Sequence, residues 1–254
     1  MPSKIDHRGE FWENRNEPLV ELHDHVGGSL APAILWSLAH QQGLKLPTED
    51  YWAFEDMVTI RTATHDKLND YLHLYSLPEL IQSSPLAIER SVYEIVGGAY
   101  RASNVIVHEL RYNPMLRNRN GEQDLDHIIT ASIRGLERAL LEYPYIRAGL
   151  ILMMHRPFPF AYNEELVKKA VKYSREQAIV GIDIAGPRSK EDHSYHEYRP
   201  LIEMAREAGL GITVHVGEDG ADTKEMWDVM RELAPDRIGH GLLAATDPAL
   251  MACK

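Results

Sequence analysis

Three short stretches carry residue types at spacings that can do chemistry. In Glu21-Leu22-His23-Asp24-His25, followed by Val26-Gly27-Gly28, two histidines stand two apart. Alternate side chains of a strand share a face, so His23 and His25 can aim both imidazoles at one point. Two nitrogens at one point suit a metal ion such as zinc. In Val214-His215-Val216-Gly217-Glu218 a carboxylate follows a histidine three residues on, across a glycine. His215 offers a third nitrogen, and Glu218, in the turn beyond, can reach a substrate atom as a general acid. In Arg237-Ile238-Gly239-His240-Gly241 glycines flank a histidine and leave its ring open to a ligand. Each stretch alone also reads as ordinary structure: polar residues on an exposed strand face, a surface turn, a solvated histidine in a tight turn. Their shared position in the chain's rhythm is what singles them out.

Each of the three closes an apolar run of strand character. Such runs are expected at Leu19–His25, Val105–Tyr112, Ala148–Met154, Ala178–Ala185, Gly211–Val216 and Arg237–His240. Helical patterns lie between most of them: Leu125–Leu141, Glu164–Glu176 with Asn163 as its N-cap, Tyr198–Ala208 stopped by Gly209, and Lys224–Leu233 before Pro235. This alternation implies a parallel sheet covered by helices, an α/β fold of the (β/α)8 TIM-barrel type, incomplete at about six strands. In such a barrel the C-terminal strand ends converge on one site, which would gather His23, His25, His215, Glu218 and His240. The stretch from Val26 to Asn104 is too long for a simple crossover. It contains helical patterns at Pro32–Gln42 and Ala87–Ala102 and reads as a crossover helix enlarged by a helical insertion. That insertion, with His73 and Tyr75, serves either as a lid over the strand ends or as decoration. No repeat, low-complexity tract or linker divides residues 1–254, so one domain is expected.

Composition narrows the partners. With 38 acidic against 27 basic residues and a formal charge of -11, nothing supports nucleic acid as a ligand. The single cysteine, Cys253, excludes a disulfide framework, thiolate-rich zinc sites and the paired cysteines of cytidine-deaminase-type enzymes. No apolar run approaches the roughly 18 residues of a membrane span. Met1 to Asn16 is polar and lacks the apolar stretch of a signal peptide, so a cytoplasmic protein meeting a small molecule is expected.

Taken in order, the motifs resemble the adenosine deaminase family of metal-dependent hydrolases. Val20-Glu21-Leu22-His23-Asp24-His25 resembles the family's opening His-X-His strand, and Glu109-Leu110-Arg111-Tyr112-Asn113-Pro114 its second. Gly181-Ile182-Asp183-Ile184-Ala185-Gly186 resembles the fourth. His215-Val216-Gly217-Glu218 resembles the His-Ala-Gly-Glu signature with valine for alanine, and Arg237-Ile238-Gly239-His240-Gly241 the sixth strand. The resemblance implies zinc held by His23, His25 and His215, and hydrolytic deamination of adenosine or a related purine nucleoside or base. On that reading Glu218 protonates N1 of the purine, His240 orients or deprotonates the attacking water, and Gly186 offers its backbone N–H to N3.

Two departures stand out. Gly27 occupies the position where the family usually has a ribose-contacting aspartate, which leaves adenine or a modified adenosine as alternative substrates. Beyond His240 only the 14 residues from Gly241 to Lys254 remain. The family's seventh and eighth strands, with an Asp-Asp pair supplying a further zinc ligand and a substrate contact, find no match. A truncated chain, holding zinc loosely and inactive as it stands, is therefore expected. A hydrolase of another amine or amide and an inactive binding remnant are the rival readings. Among the remaining polar residues, His155 ends the third strand and could face the site. Asp183 reads as structural, Met153-Met154 as core, and His193 and His196 as members of a solvated loop.

Overall fold

A computed structural model describes residues 17–60, 73–118, 124–175, 178–188, 194–218, 220 and 222–253. Six strands form one sheet: β1 (Leu19–His25), β2 (Val105–Tyr112), β3 (Arg147–His155), β4 (Ile179–Ala185), β5 (Gly211–Val216) and β6 (Arg237–His240). They pair in sequence order and every pair is parallel. The middle strands explain themselves. β3 buries Gly149 to Met154 on both faces, the mark of a parallel strand covered by helices on one side and barrel interior on the other.

The sheet curls into a nearly closed TIM-type barrel. Side chains from distant strands meet across its concave face. Arg237 of β6 donates to the Glu109 carboxylate of β2 at 2.5 Å. Arg111 of β2 reaches the Leu22 carbonyl of β1 at 2.5 Å and the Asp183 carboxylate of β4 at 2.9 Å. β1 and β6 each find a ladder partner on one side only among the described residues.

The helices carry their own punctuation. Two short ones follow β1, α1 (Val26–Ser29) and α2 (Pro32–Gln41), and then α3 (Tyr51–Val58), capped by the Asp50 carboxylate on Ala53 N–H. After α4 (Ser76–Ile81) comes the long α5 (Pro85–Ser103), which starts at a Ser84 cap with proline in its first turn. It ends at Asn104, whose φ of 51° makes it a left-handed cap. α6 (Leu125–Glu142) buries Ile128, Ile129, Ile133 and Leu136 at helical spacing and is capped by Asp124. α7 (Phe160–Ser174), α8 (Tyr195–Glu207) and α9 (Lys224–Leu233) complete the outer layer, and α10 (Pro248–Met251) starts at an Asp247 cap. No described helix is long and apolar enough to cross a membrane.

Two local expectations need correcting. α7 starts at Phe160, so Asn163 lies inside the helix and is not its cap. Its buried amide turns inward, accepting from His155 N–H at 3.0 Å and donating to the His155 carbonyl at 3.1 Å. The pull of those two backbone groups outweighs the capping role that asparagine takes at a free helix start. α8 likewise starts at Tyr195, set by a Ser194–Glu197 capping box, so His196 rides on a helix. Its ring lies 3.1 Å from Glu232. Glu176 and His193 lie outside the described residues.

Asn163 thus finishes β3 as a further strand residue would. Asn163→Ala is expected to cost about 2 kcal/mol, because two strand-end backbone groups lose their partner at a buried site. Urea denaturation at neutral pH checks this, and a loss below about 0.5 kcal/mol would show that water replaces the amide freely.

Candidate active site

β1 points His23 and His25 into the barrel mouth and Asp24 the other way. There the Asp24 carboxylate takes a 2.7 Å contact from His108 Nε2 and a hydrogen bond from the Ser29 hydroxyl. β5 brings His215 against the pair from across the barrel. His215 Nε2 stands 2.9 Å from His23 Nε2 and 3.0 Å from His25 Nε2. All three belong to one potential metal-ligating group, the ligand atoms lying within 4.8 Å of one another.

These residues fit a metal. His215 Nδ1 sits 2.9 Å from the Asp183 carboxylate, which holds the proton on Nδ1 and leaves Nε2 as a lone pair. The His215 contacts at 2.9 and 3.0 Å and the 4.8 Å span of the group put three ring nitrogens where one zinc ion would reach them all. Burial, with the Arg111, His215 and His240 charges behind it, lowers the His23 pKa to about 4. Burial, followed by His215, takes His25 well below its ordinary value as well. Both rings are therefore neutral at pH 7, the form that binds metal.

The same depression has a consequence for stability. Between pH 6.5 and about 4 the unfolded chain protonates His23 and the folded chain does not. The unfolded state binds more protons there, so metal-free stability is fullest above pH 6.5 and falls as pH drops through that window. Urea midpoints of the metal-free protein at pH 7, 6 and 5 should decline, and the decline should shrink in a His23→Gln, His25→Gln double variant. An equal decline in both proteins rules this origin out.

Behind the cluster lies a buried ion pair. Asp183 is fully buried, and burial alone would raise its pKa. The His215 and Arg111 contacts hold it far below the carboxylate range instead. Arg111 donates to Asp183 on one side and to the Leu22 carbonyl on the other. One network therefore joins the strand of His23 and His25 to the partner of His215. The structural reading of Asp183 is sharpened, since its carboxylate orients His215. Arg111 lay within a recognised motif without a role of its own. A charge inside a strand expected to be buried, which is tolerated only when paired, is the signal that could have found it.

The ends of β5 and β6 place a second pair beside the histidines. His240 Nε2 lies 2.8 Å from the Glu218 carboxylate. The hydrogen bond from His240 holds the Glu218 carboxyl below its ordinary value, against the opposing effect of burial. The His240 ring centroid is 4.8 Å from that of His23 and 5.2 Å from that of His215. His240 adopts a φ of 62°, uncommon for a residue with a side chain and typical of functional positions.

Gly186, just past β4, has a φ of 95°, and a Cβ on it would stand 2.7 Å from His155 Cδ2. Both facts demand glycine. They also place the His155 ring directly against Gly186, so His155 does turn toward this end of the barrel. Gly27 lies in α1, two residues past His25. A Cβ there would meet Tyr75 Cδ1 at 3.1 Å and Arg117 Nη2 at 3.3 Å, and Tyr75 also covers Gly28. The insertion after β1 thus lays Tyr75 across the glycine pair. Gly27 lines a cleft of about 570 Å3 with Asp24, Leu30, Tyr75, Glu94 and Ile95, none of the three metal-facing histidines among its walls. The His73 side chain lies outside the described residues.

The fold and its converging strand ends define a TIM-type barrel with a histidine cluster at the mouth. The sequence model of the family described as "Adenosine deaminase" matches residues 18–253. The adenosine deaminase of Vibrio vulnificus (strain CMCP6) is 32% identical over 231 residues, which cover 91% of this chain and 67% of that protein. The N6-mAMP deaminase of Arabidopsis superposes with a TM-score of 0.71 at 25% identity, over 89% of this chain and 66% of its own. A Zn-bound amidohydrolase from Burkholderia ambifaria shares the fold, with a TM-score of 0.77 at 24% identity over 99% of this chain and 65% of its own. The chain belongs to the adenosine deaminase family, and by family it is a deaminase-type hydrolase. It spans about two thirds of the length of these relatives.

Proposed function

We propose that this chain carries the metal site and catalytic pair of a zinc-dependent aminopurine deaminase, which turns adenosine and water into inosine and ammonia. The observation that carries the reading is the meeting of three imidazole Nε2 atoms, from two strands on opposite sides of the arc, beside the Glu218–His240 pair. His23, His25 and His215 would hold the ion. Zinc supplies Lewis acidity there and makes water acidic near neutral pH.

The protein's own groups do the rest. Gly186 offers its backbone N–H to N3 and leaves room for the ring plane. Glu218, ionised in the free protein, takes up a proton as the purine binds and gives it to N1, which draws electrons from C6. His240 takes a proton from water as its oxygen bonds to C6, then returns it to the amino group. The C6–N bond breaks and ammonia leaves. The C6 hydroxyl proton goes back to Glu218, N1 keeps its proton, and both side chains end as they began.

The test offers adenosine, adenine and AMP to a zinc-loaded full-length version and measures ammonia. Adenosine is expected to react best. Ammonia from none of the three, with release from an unrelated amine or amide, would replace this reading with that of a different hydrolase.

A further inference from the structure

Arg156 follows β3 directly and is 5% exposed. Its guanidinium spans the ends of the next two strands. Nη1 donates to the Gly186 carbonyl at 2.6 Å, and Nη2 donates to the His215 carbonyl and, at 3.3 Å, to the Tyr195 hydroxyl. Tyr195 in turn donates to Glu225 at 2.5 Å. The Arg156 backbone N–H donates to the Ala185 carbonyl at 2.9 Å.

These bonds fall on particular peptide planes. The Ala185 carbonyl shares its plane with the Gly186 N–H, and the Gly186 carbonyl belongs to the plane that follows. Arg156 therefore grips both planes flanking Gly186, one through its backbone and one through its side chain. The other arm of the same rigid fork holds the plane leaving His215. A planar guanidinium can serve two carbonyls at fixed separation, whereas a single ammonium cannot reproduce that geometry.

We infer that Arg156 is a positioning residue that sets the metal-facing His215 and the purine-facing Gly186 in one frame, so that metal and purine affinity depend on the same guanidinium. The inference rests on the deaminase reading above. It differs from simple carbonyl satisfaction in what it requires: two affinities fall together, and a free guanidinium ion brings them back.

The test uses Arg156→Ala and Arg156→Lys, with Tyr112→Phe as a control that loses a buried 2.5 Å hydrogen bond to Ser132. Zinc affinity is read by competition with a chromophoric chelator, and inosine affinity by calorimetry on the zinc-loaded protein. Both Arg156 variants are expected to bind zinc about 10- to 100-fold more weakly, the usual effect of losing an outer partner of a ligand, and to bind inosine more weakly as well. Tyr112→Phe should leave both affinities in place. Millimolar guanidinium should restore both in Arg156→Ala and neither in Arg156→Lys, whose side chain fills the space.

Unchanged zinc affinity in the Arg156 variants overturns the inference. So does a loss no larger than that of Tyr112→Phe, a fall in one affinity without the other, or a failure of guanidinium to restore Arg156→Ala. Where the alanine variant does not fold, the lysine variant decides, and parent-like affinities in it overturn the inference. An unaltered chain that takes up no zinc sinks the deaminase reading and this inference with it. An unaltered chain that binds zinc beside unaffected variants sinks this inference alone.

Discussion

Glu218→Gln is expected to keep the fold and the bound zinc while deamination falls roughly 100- to 10,000-fold, the usual contribution of a positioned general acid. Glutamine has the size of glutamate and can still accept a hydrogen bond from His240, so the turn after β5 keeps its shape. What it lacks is an acidic proton. N1 then stays unprotonated, and C6 is too electron-rich for water to add. The side chain stands outside the three-histidine group, so metal content should not change. Ammonia release and zinc content, measured on the same preparation, separate the two effects. Retention of more than about a tenth of the parent rate would show that another group protonates the purine, since general acid catalysis is worth at least about a hundredfold.

Asp183→Asn should have the largest effect on stability. It leaves the Arg111 guanidinium buried without its carboxylate, and removing one partner of a buried pair costs roughly 3–5 kcal/mol. Arg111 and His215 both contact the one oxygen Oδ2 at 2.9 Å, and an asparagine oxygen in its place carries no negative charge to hold two donors in a buried site. His215 loses the anion that holds the proton on Nδ1, so zinc affinity should fall about 10- to 100-fold. Urea denaturation of the metal-free protein measures the first effect, and chelator competition on the folded fraction measures the second. Stability within about 1 kcal/mol of the parent would mean that the Asp183–Arg111 pair contributes no more than an exposed one.

The two predictions differ in how far their residues could be seen in the chain. Glu218 stands three residues after His215 in a recognisable stretch, and a strand end followed by a glycine turn is a local feature. Asp183 stands in an apolar strand, and its partners are 72 residues away at Arg111 and on the next strand at His215. Nothing within a dozen residues of Asp183 says which neighbour it will meet. Asn163 shows the opposite error. Its local preference for capping is real, yet two backbone groups of His155 offered a buried partner and the helix began four residues earlier than expected.

Local chemistry was enough to place β1, β2, β5 and β6 at their observed bounds. Apolar runs with glycine, proline or polar ends are short-range signals, and alternation within a strand sets which side chains share a face. Those signals also placed His23, His25, His215, Glu218 and His240 at strand ends and the family resemblance on the same residues. The distances came from the curl of the sheet. His23 and His215 are 192 residues apart in the chain and 2.9 Å apart in space because twist and register swing β5 back toward β1. The Asp183–Arg111 anchor, the Arg156 fork and Tyr75 over Gly27 arise the same way. Each is a contact between side chains or backbone groups of different elements, and its geometry depends on how those elements are stacked, which no single stretch of residues encodes.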